Sequence, residues 1–205
     1  MRWKTVRFVL IAVLVLFAAG TIVSFWRAAQ QRSDDEQMHA RLARTMNLAS
    51  DSLQPNGEWA SAVTCRGGGQ TPQIHWDHAP TGTQSYALLA DDWDAPTPAL
   101  RLGHFSHWVL YNIAPALDHL EPGIRQAELE HLGIAVGLNS LDEAAFVPPC
   151  PPLGTHRYKF RIYALDIASL HPAVANREGL LAAMQGHILA YGELDGASSA
   201  GGGGN

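Results

Sequence analysis

The stretch from Pro148 to Asp166, PPCPPLGTHRYKFRIYALD, passes abruptly from a proline-rich loop into a strongly alternating strand. With a side-chain period of two, His156, Tyr158, Phe160, Ile162 and Ala164 fall on one face, and Arg157, Lys159 and Arg161 on the other. That pattern demands a half-buried strand in a sheet, and it puts a histidine and a tyrosine at the mouth of the apolar face. The neighbouring loop is stiffened by Pro148, Pro149, Pro151 and Pro152. Together these features read as the rim of a rigid pocket. The competing reading is a core histidine satisfied by structural partners.

Two further stretches alternate in the same way. Gln84 to Asp92 places Tyr86, Leu88, Ala90 and Asp92 on one side, and Phe105 to Ile113 places Phe105, His107, Val109, Tyr111 and Ile113 on one side. Three predicted strands thus carry an acid or a histidine on a largely apolar face. An isolated buried ionisable group costs several kcal/mol unless partnered, so the economical arrangement brings these strand ends together around one cluster or one ligand. From Met46 onward, short strands separated by clusters such as Gln54-Pro55-Asn56-Gly57, Arg66-Gly67-Gly68-Gly69 and Pro80-Thr81-Gly82 predict a mainly β domain. Asn176 is placed to cap a helix running to about His187, with a last short strand at Leu189 to Leu194.

The run Pro149-Cys150-Pro151-Pro152, followed by Gly154-Thr155-His156-Arg157-Tyr158, resembles the second signature of the phosphatidylethanolamine-binding proteins, also called Raf kinase inhibitor-like proteins. Their first signature is matched by Asp91-Asp92-Trp93-Asp94-Ala95-Pro96 and by His107-Trp108-Val109-Leu110-Tyr111-Asn112-Ile113. The resemblance, strongest to the bacterial branch, covers roughly Asn47 to Leu194. It implies an antiparallel Greek-key β-sandwich with a few peripheral helices. It also implies that Asp92, His107, His156 and Tyr158 line a small pocket for anionic groups such as phosphate or a phospholipid headgroup. Asp94, Cys150 and Pro152, from the same motifs, complete the expected ligand-binding set. Some members of the family are reported to inhibit a kinase or a protease, so a protein partner of that kind is a third way for such a domain to act. The chain departs from the usual pattern at Trp93, Pro148, Ser140, Leu141 and Phe146. Trp93 is expected to narrow the entrance or stack on a ligand, and Pro148 removes one backbone donor from the rim.

Ahead of the domain, Arg2, Lys4 and Arg7 precede an uncharged run from Phe8 to Trp26, about long enough to cross a ~30 Å hydrocarbon layer. Trp3 and Trp26 bracket it like interface anchors, and the positive-inside rule puts everything after Arg27 across the membrane. The expected organisation is an anchor or signal segment at 1–27, a polar stalk at 28–44 and a domain at 45–195, followed by a disordered tail at 196–205. The location follows: a single-pass inner (cytoplasmic) membrane protein with a periplasmic or extracellular C-terminal domain. The alternative is secretion after cleavage near Ala18-Ala19-Gly20. Residues 1–27 hold four of the 14 Lys and Arg and none of the 19 Asp and Glu, so the remainder carries a formal charge of −9. A body that acidic is a poor partner for nucleic acid.

Rival chemistries find less support. His75 and His78, and His104 and His107, have an H-x-x-H spacing, but residues three apart on a strand point to opposite faces, so no metal is expected. No nucleophile elbow, phosphate loop or cofactor motif is present, which favours a binding and regulatory module over an enzyme. A hydrolase using the same acid, histidines and tyrosine on a phosphoryl or acyl substrate stays open. The only two cysteines, Cys65 and Cys150, are expected to pair if the domain is exported to an oxidising compartment.

Overall fold

Short alternating runs broken by Gly, Pro and Asn leave this chain little to form but brief antiparallel strands. The structure, a computed structural model, describes residues 2–201. In chain order it contains helix α1 (Arg2–Ala40), β1 (Asn47–Ala49), a 3-10 turn (Ser61–Val63), β2 (Ile74–Asp77), β3 (Ser85–Asp92), β4 (Phe105–Ile113), β5 (His119–Leu120), α2 (Gln126–His131), β6 (Ala135–Val136), β7 (Thr155–Leu165), α3 (Arg177–Met184) and β8 (Ile188–Ser199). The strands form two antiparallel sheets, one in the order β1-β2-β5 and one in the order β6-β4-β3-β7-β8.

Leu48, Ile74 and Trp76 of the small sheet pack on Leu88, Leu110, Phe160 and Ile162 of the large one, and Trp76 meets Tyr86 edge to face at 5.5 Å. The outer face of the large sheet is covered as well. Ala87, Leu89, Val109, Tyr163 and Leu165 pack against Leu180 and Met184 of α3. Asn176 starts that helix by accepting a hydrogen bond from the Gly179 N–H at 2.9 Å. Burial on both sides explains why all eight residues of β3 are buried, where its sequence pattern predicts one apolar face.

β4 corrects the sequence reading in detail. Trp108, Leu110 and Ile113 enter the core between the sheets, whereas Val109 and Tyr111 belong to the outer cluster. The register with β3 shifts twice, between Tyr86 and Leu88 and between Ala90 and Asp91. At the second shift Ser106 and Trp108 pair with adjacent residues of β3, so His107 is the extra residue of a bulge. Bulges re-aim side chains next to sites, and strict alternation cannot show them.

The C-terminal segment differs too. Gly196 to Ser199, expected as part of a disordered tail, extend β8 and pair with β7 from Tyr158 to Thr155. A tail without apolar side chains can join a sheet through its backbone alone. Glycine at 196 also permits close approach of the Trp59 ring, which a Cβ would strike. On the other side of β8, Trp59 N–H donates to Ala197 O (2.9 Å) and Ala197 N–H to Gly57 O (2.8 Å). Residues 202–205 of the expected tail lie outside the described residues.

The polar segment 28–44 is more than a stalk. α1 continues through it to Ala40, and Ala28, Asp35 and His39 are buried against the domain. Asp35 accepts from Arg161 Nη1 at 2.8 Å and from Arg177 Nη2, while His39 Nε2 meets the Tyr163 hydroxyl at 2.8 Å. The guanidiniums are shared: Arg161 Nε reaches Glu193 (2.8 Å) and Arg177 Nε reaches Asp91 (2.7 Å). Burial alone would raise the Asp35 carboxyl, but the His39 hydrogen bond and the two guanidiniums outweigh it and hold the group far below the ordinary carboxylate range. A depressed folded-state value stabilises docking above the unfolded value of about 3.9 and loses that contribution as pH falls.

Removing Asp35 leaves two buried cations short of one partner. Asp35→Ala is therefore expected to cost about 3 kcal/mol and to expose residues 28–44 to proteolysis, as read by chemical denaturation and limited digestion. In the parent protein the same protection holds at neutral pH and declines below about pH 4. Cys65 and Cys150 are joined (Cα–Cα 5.5 Å), closing a loop of 85 residues in sequence separation. On the loop-entropy account, reduction or replacement of both by Ser lowers stability by roughly 4 kcal/mol, measurable by denaturation with and without reductant.

Candidate functional site

The ends of β3, β4 and β7 and two loops meet around a surface cavity of 460 Å³. Asp92 is the last residue of β3 and faces Tyr158 across the β3–β7 pairing. His156 stands two residues before Tyr158 on the same face of β7, and His107 enters from the β4 bulge. The sequence-predicted residues Asp92, His107, Cys150, Pro152, His156 and Tyr158 all line the cavity.

His107 and His156 are each fixed by Nδ1. His156 Nδ1–H donates to Asp92 Oδ2 at 2.6 Å, with both side chains almost fully buried. His107 Nδ1–H donates to the Val147 carbonyl at 2.7 Å. That carbonyl is held in place because Val147 N–H donates back to His107 O (2.9 Å), and because Asn139 organises the preceding loop. The Asn139 side chain accepts from Leu141 and Glu143 N–H and donates to Ala145 O. The opposite nitrogen of His156, Nε2, is buried and has no hydrogen-bond partner among the described residues. Burial pushes the His107 imidazole below its ordinary value, against the opposing pull of Val147 O and Asp92. Both rings therefore carry their proton on Nδ1 when neutral and present Nε2 as an acceptor.

Tyr158 packs its ring edge-on to His107 at 5.0 Å, and its hydroxyl lies toward the Cys150 backbone. Burial and the nearby Asp92 charge raise its phenol, so it keeps its proton. The Cys65–Cys150 bridge and the Cys65 N–H to Pro149 O bond (3.1 Å) tie this rim to the 3-10 turn region.

Two expected site residues play other parts. Asp94 does not line the cavity; its Oδ2 accepts from Arg157 N–H (3.0 Å), its Oδ1 pairs with Arg101 (2.9 Å), and its own N–H donates to Asp92 Oδ1 (2.7 Å). Its carboxylate is consumed in joining the two rim loops. Trp93 does not line the cavity. Its indole lies against His104 at 5.0 Å on one side and the Arg177 guanidinium at 5.1 Å on the other.

His104 is the residue that strand periodicity missed. It precedes β4 and lines the same cavity as His107, so the expectation that the pair points to opposite faces does not hold. Its Nε2 reaches Glu178 at 3.0 Å, and that contact leads the effects that lower the Glu178 carboxyl to about 2. Leu102, Phe105 and Pro148 also line the wall, and only the proline was singled out by its motif.

Comparison with known proteins gives one consistent answer. A family model described as phosphatidylethanolamine-binding protein matches residues 49–199. A UPF0098 protein of Methanothermobacter thermautotrophicus is 38% identical over 152 residues, covering 74% of this chain and 97% of that one. A crystal structure of a phosphatidylethanolamine-binding protein homologue from Chlamydia trachomatis superposes with a TM-score of 0.67 at 32% identity, covering 77% of this chain and 99% of that one. The Escherichia coli protein YbcL shares the fold, with a TM-score of 0.66 at 24% identity over 76% of this chain and 98% of that one. Both motifs read from the sequence lie within the matched region, and the chain belongs to the phosphatidylethanolamine-binding protein family.

Proposed function

We propose that this protein is an exported, membrane-tethered binding and regulatory module whose pocket takes a small anion, a phosphate or a phospholipid headgroup. The observation that carries the reading is the buried, unpartnered His156 Nε2 in a cavity that also receives His107 and Tyr158. A polar nitrogen buried without a partner is costly, and a ligand removes the cost. Asp92 fixes the orientation of the His156 ring, and it can also receive an amine of a zwitterionic ligand.

The wall supports binding rather than turnover. Its side chains include no serine, threonine or lysine, and its one cysteine is held in the disulfide. A hydrolase is the second reading, favoured by the short Asp92–His156 contact, which could serve as an acid–base pair acting on water. Turnover of phosphomonoesters or esters by the purified protein would support it.

Tethering is supported by α1. The helix is continuous for 39 residues, its most apolar 18-residue window has a mean hydropathy of 2.7, and none of that window is buried in the protein. A basic flank ahead of it argues that the domain lies across the membrane. Fractionation with protease accessibility tests this: the domain is expected in the membrane fraction and open to protease from outside, and a soluble, protected cytoplasmic protein refutes the topology.

Anion binding has a definite pH sign. A bound anion favours the charged imidazoles, so affinity rises as pH falls. Because burial depresses His107, the rise is expected below the ordinary imidazole value of about 6.5. Calorimetric titration with inorganic phosphate should show severalfold tighter binding at pH 5.5 than at pH 7.5. His156→Ala or His107→Ala should weaken it roughly tenfold without unfolding the domain, as expected for losing a charge-assisted hydrogen bond. No saturable binding by the parent, or no effect of either substitution, removes the pocket assignment.

A further inference from the structure

The contacts between α1 and the domain fix which end of the sandwich faces the membrane. Asp35 meets Arg161, and His39, four residues on, meets Tyr163, two residues on. Four helical residues rise ~6 Å and two strand residues ~6.6 Å, so α1 and β7 run side by side in the same direction. His156 lies five strand residues before Arg161, ~16 Å back along that direction, level with about residue 24 of the helix. That is the end of the apolar run, beside Trp26. A third contact agrees: Arg32 Nη2 donates to Arg101 O at 3.3 Å, on the loop that supplies Pro96, Leu102 and His104 to the cavity. Arg32 stands six residues, ~9 Å, beyond Trp26.

The loops at this end present bare apolar side chains. Leu100 and Leu102 on one rim loop are 46% and 39% exposed, and Leu153 on the other is 64% exposed. The loops touch, since a Cβ at Gly154 would contact Pro98. Three exposed leucines around a cavity with a polar floor are poorly placed for water and well placed for the headgroup–acyl boundary. Among the described residues, the opposite end of the sheet, at the Thr81-Gly82 turn before β3, carries no such cluster.

We infer that α1, latched through Asp35, holds the pocket mouth against the bilayer that anchors it, with Leu100, Leu102 and Leu153 in the interface, so that the pocket takes a phosphate-bearing headgroup from that same leaflet. This rests on the tethering proposed above. The tether confines the pocket to the membrane surface, so the acidic body needs no long-range attraction to meet its ligand, and a weak site is filled by high local lipid concentration.

Depth-dependent quenching tests the inference. The full chain is reconstituted into phosphatidylethanolamine–phosphatidylglycerol vesicles containing a few per cent of headgroup spin-labelled lipid. Single cysteines from Leu153→Cys, Leu102→Cys or, as the far-end control, Thr81→Cys carry a fluorophore; the native pair, being disulfide-bonded, does not react. Quenching at 153 and 102 is expected to exceed that at 81 at least twofold, and Asp35→Asn, which loosens the latch, should abolish the difference while the protein still floats with the vesicles. Excess quenching that survives Asp35→Asn refutes the latch. Equal quenching at all three positions in a floating protein overturns the orientation and leaves the tether standing. A chain that does not float overturns the tether and this inference with it. Strong quenching at 153 and 102 that soluble phosphate at saturating concentration leaves unchanged, together with no cross-link from a photoreactive headgroup to the cavity wall, would show an interface contact without headgroup capture and refute the second half of the inference.

Discussion

Two adjacent carboxylates at the end of β3 point to opposite faces of the large sheet, and most of the molecule's polar organisation follows from finding each a partner. β3 is buried on both sides, so neither Asp91 nor Asp92 can rely on water, and an unpaired carboxylate there would cost several kcal/mol. Asp92 turns inward to His156 and forms the polar floor of the cavity. Asp91 turns outward to Arg177, whose guanidinium also holds Asp35 of α1. One peptide unit therefore links the pocket to the docking of the N-terminal helix. The next two residues extend the arrangement: Trp93 fills the space between Arg177 and His104, and Asp94 fastens the loop to the start of β7.

The latch is of a kind that specifies geometry more than it stabilises. Exposed ion pairs are worth little, whereas here Asp35, Arg161, Arg177 and Asp91 are all nearly inaccessible and each carboxylate meets a directed N–H. Replacing such a set by well-packed apolar groups could be as stable, but it would not hold the helix at one height against the sheet. The family match begins at residue 49, so Asp35 is supplied by a segment outside the shared domain, while Arg161 and Arg177 lie within it. A single added carboxylate, placed where two domain guanidiniums already converge, turns a helical extension into a positioned one.

What the sequence disclosed follows from which forces are local. The class of fold and the extents of β4 and β7 were legible because alternation and Gly–Pro punctuation are written residue by residue. The convergence of Asp92, His107, His156 and Tyr158 was made economical by the cost of burying each alone, but it was the resemblance carried by the two motifs that supplied it. What escaped depends on partners distant in the chain. The His107 bulge is a mismatch between two strands and leaves no mark on either; it is why His107 turns to the cavity while Val109 and Tyr111 face the outer cluster. His104 sits in a loop, where period-two reasoning has no force. Asp35 looks like any solvated acid until Arg161 and Arg177 are brought to it, and Arg161 itself reads as a surface residue of an alternating strand. Gly196 to Ser199 carry no apolar signal, because the backbone and the Trp59 ring do the pairing.

The hydrogen-bond roles in the cavity limit what it can hold. Of the three imidazoles, those of His107 and His156 spend their Nδ1 proton on the protein, on Val147 O and on Asp92, so in the neutral state these two offer the ligand acceptors only. Tyr158 is different: burial and Asp92 keep its phenol protonated, so it can act as a donor. A phosphate monoester can bring its own proton to an Nε2 acceptor, whereas a phosphodiester has none to bring. A diester headgroup then needs either imidazoles that have taken up protons or a cationic group of its own to meet Asp92 and Nε2. The choice is set by burial, which opposes protonation of His107. On the proposed reading, a site whose imidazoles are neutral favours ligands that carry both a phosphate and a donor over bare anionic diesters.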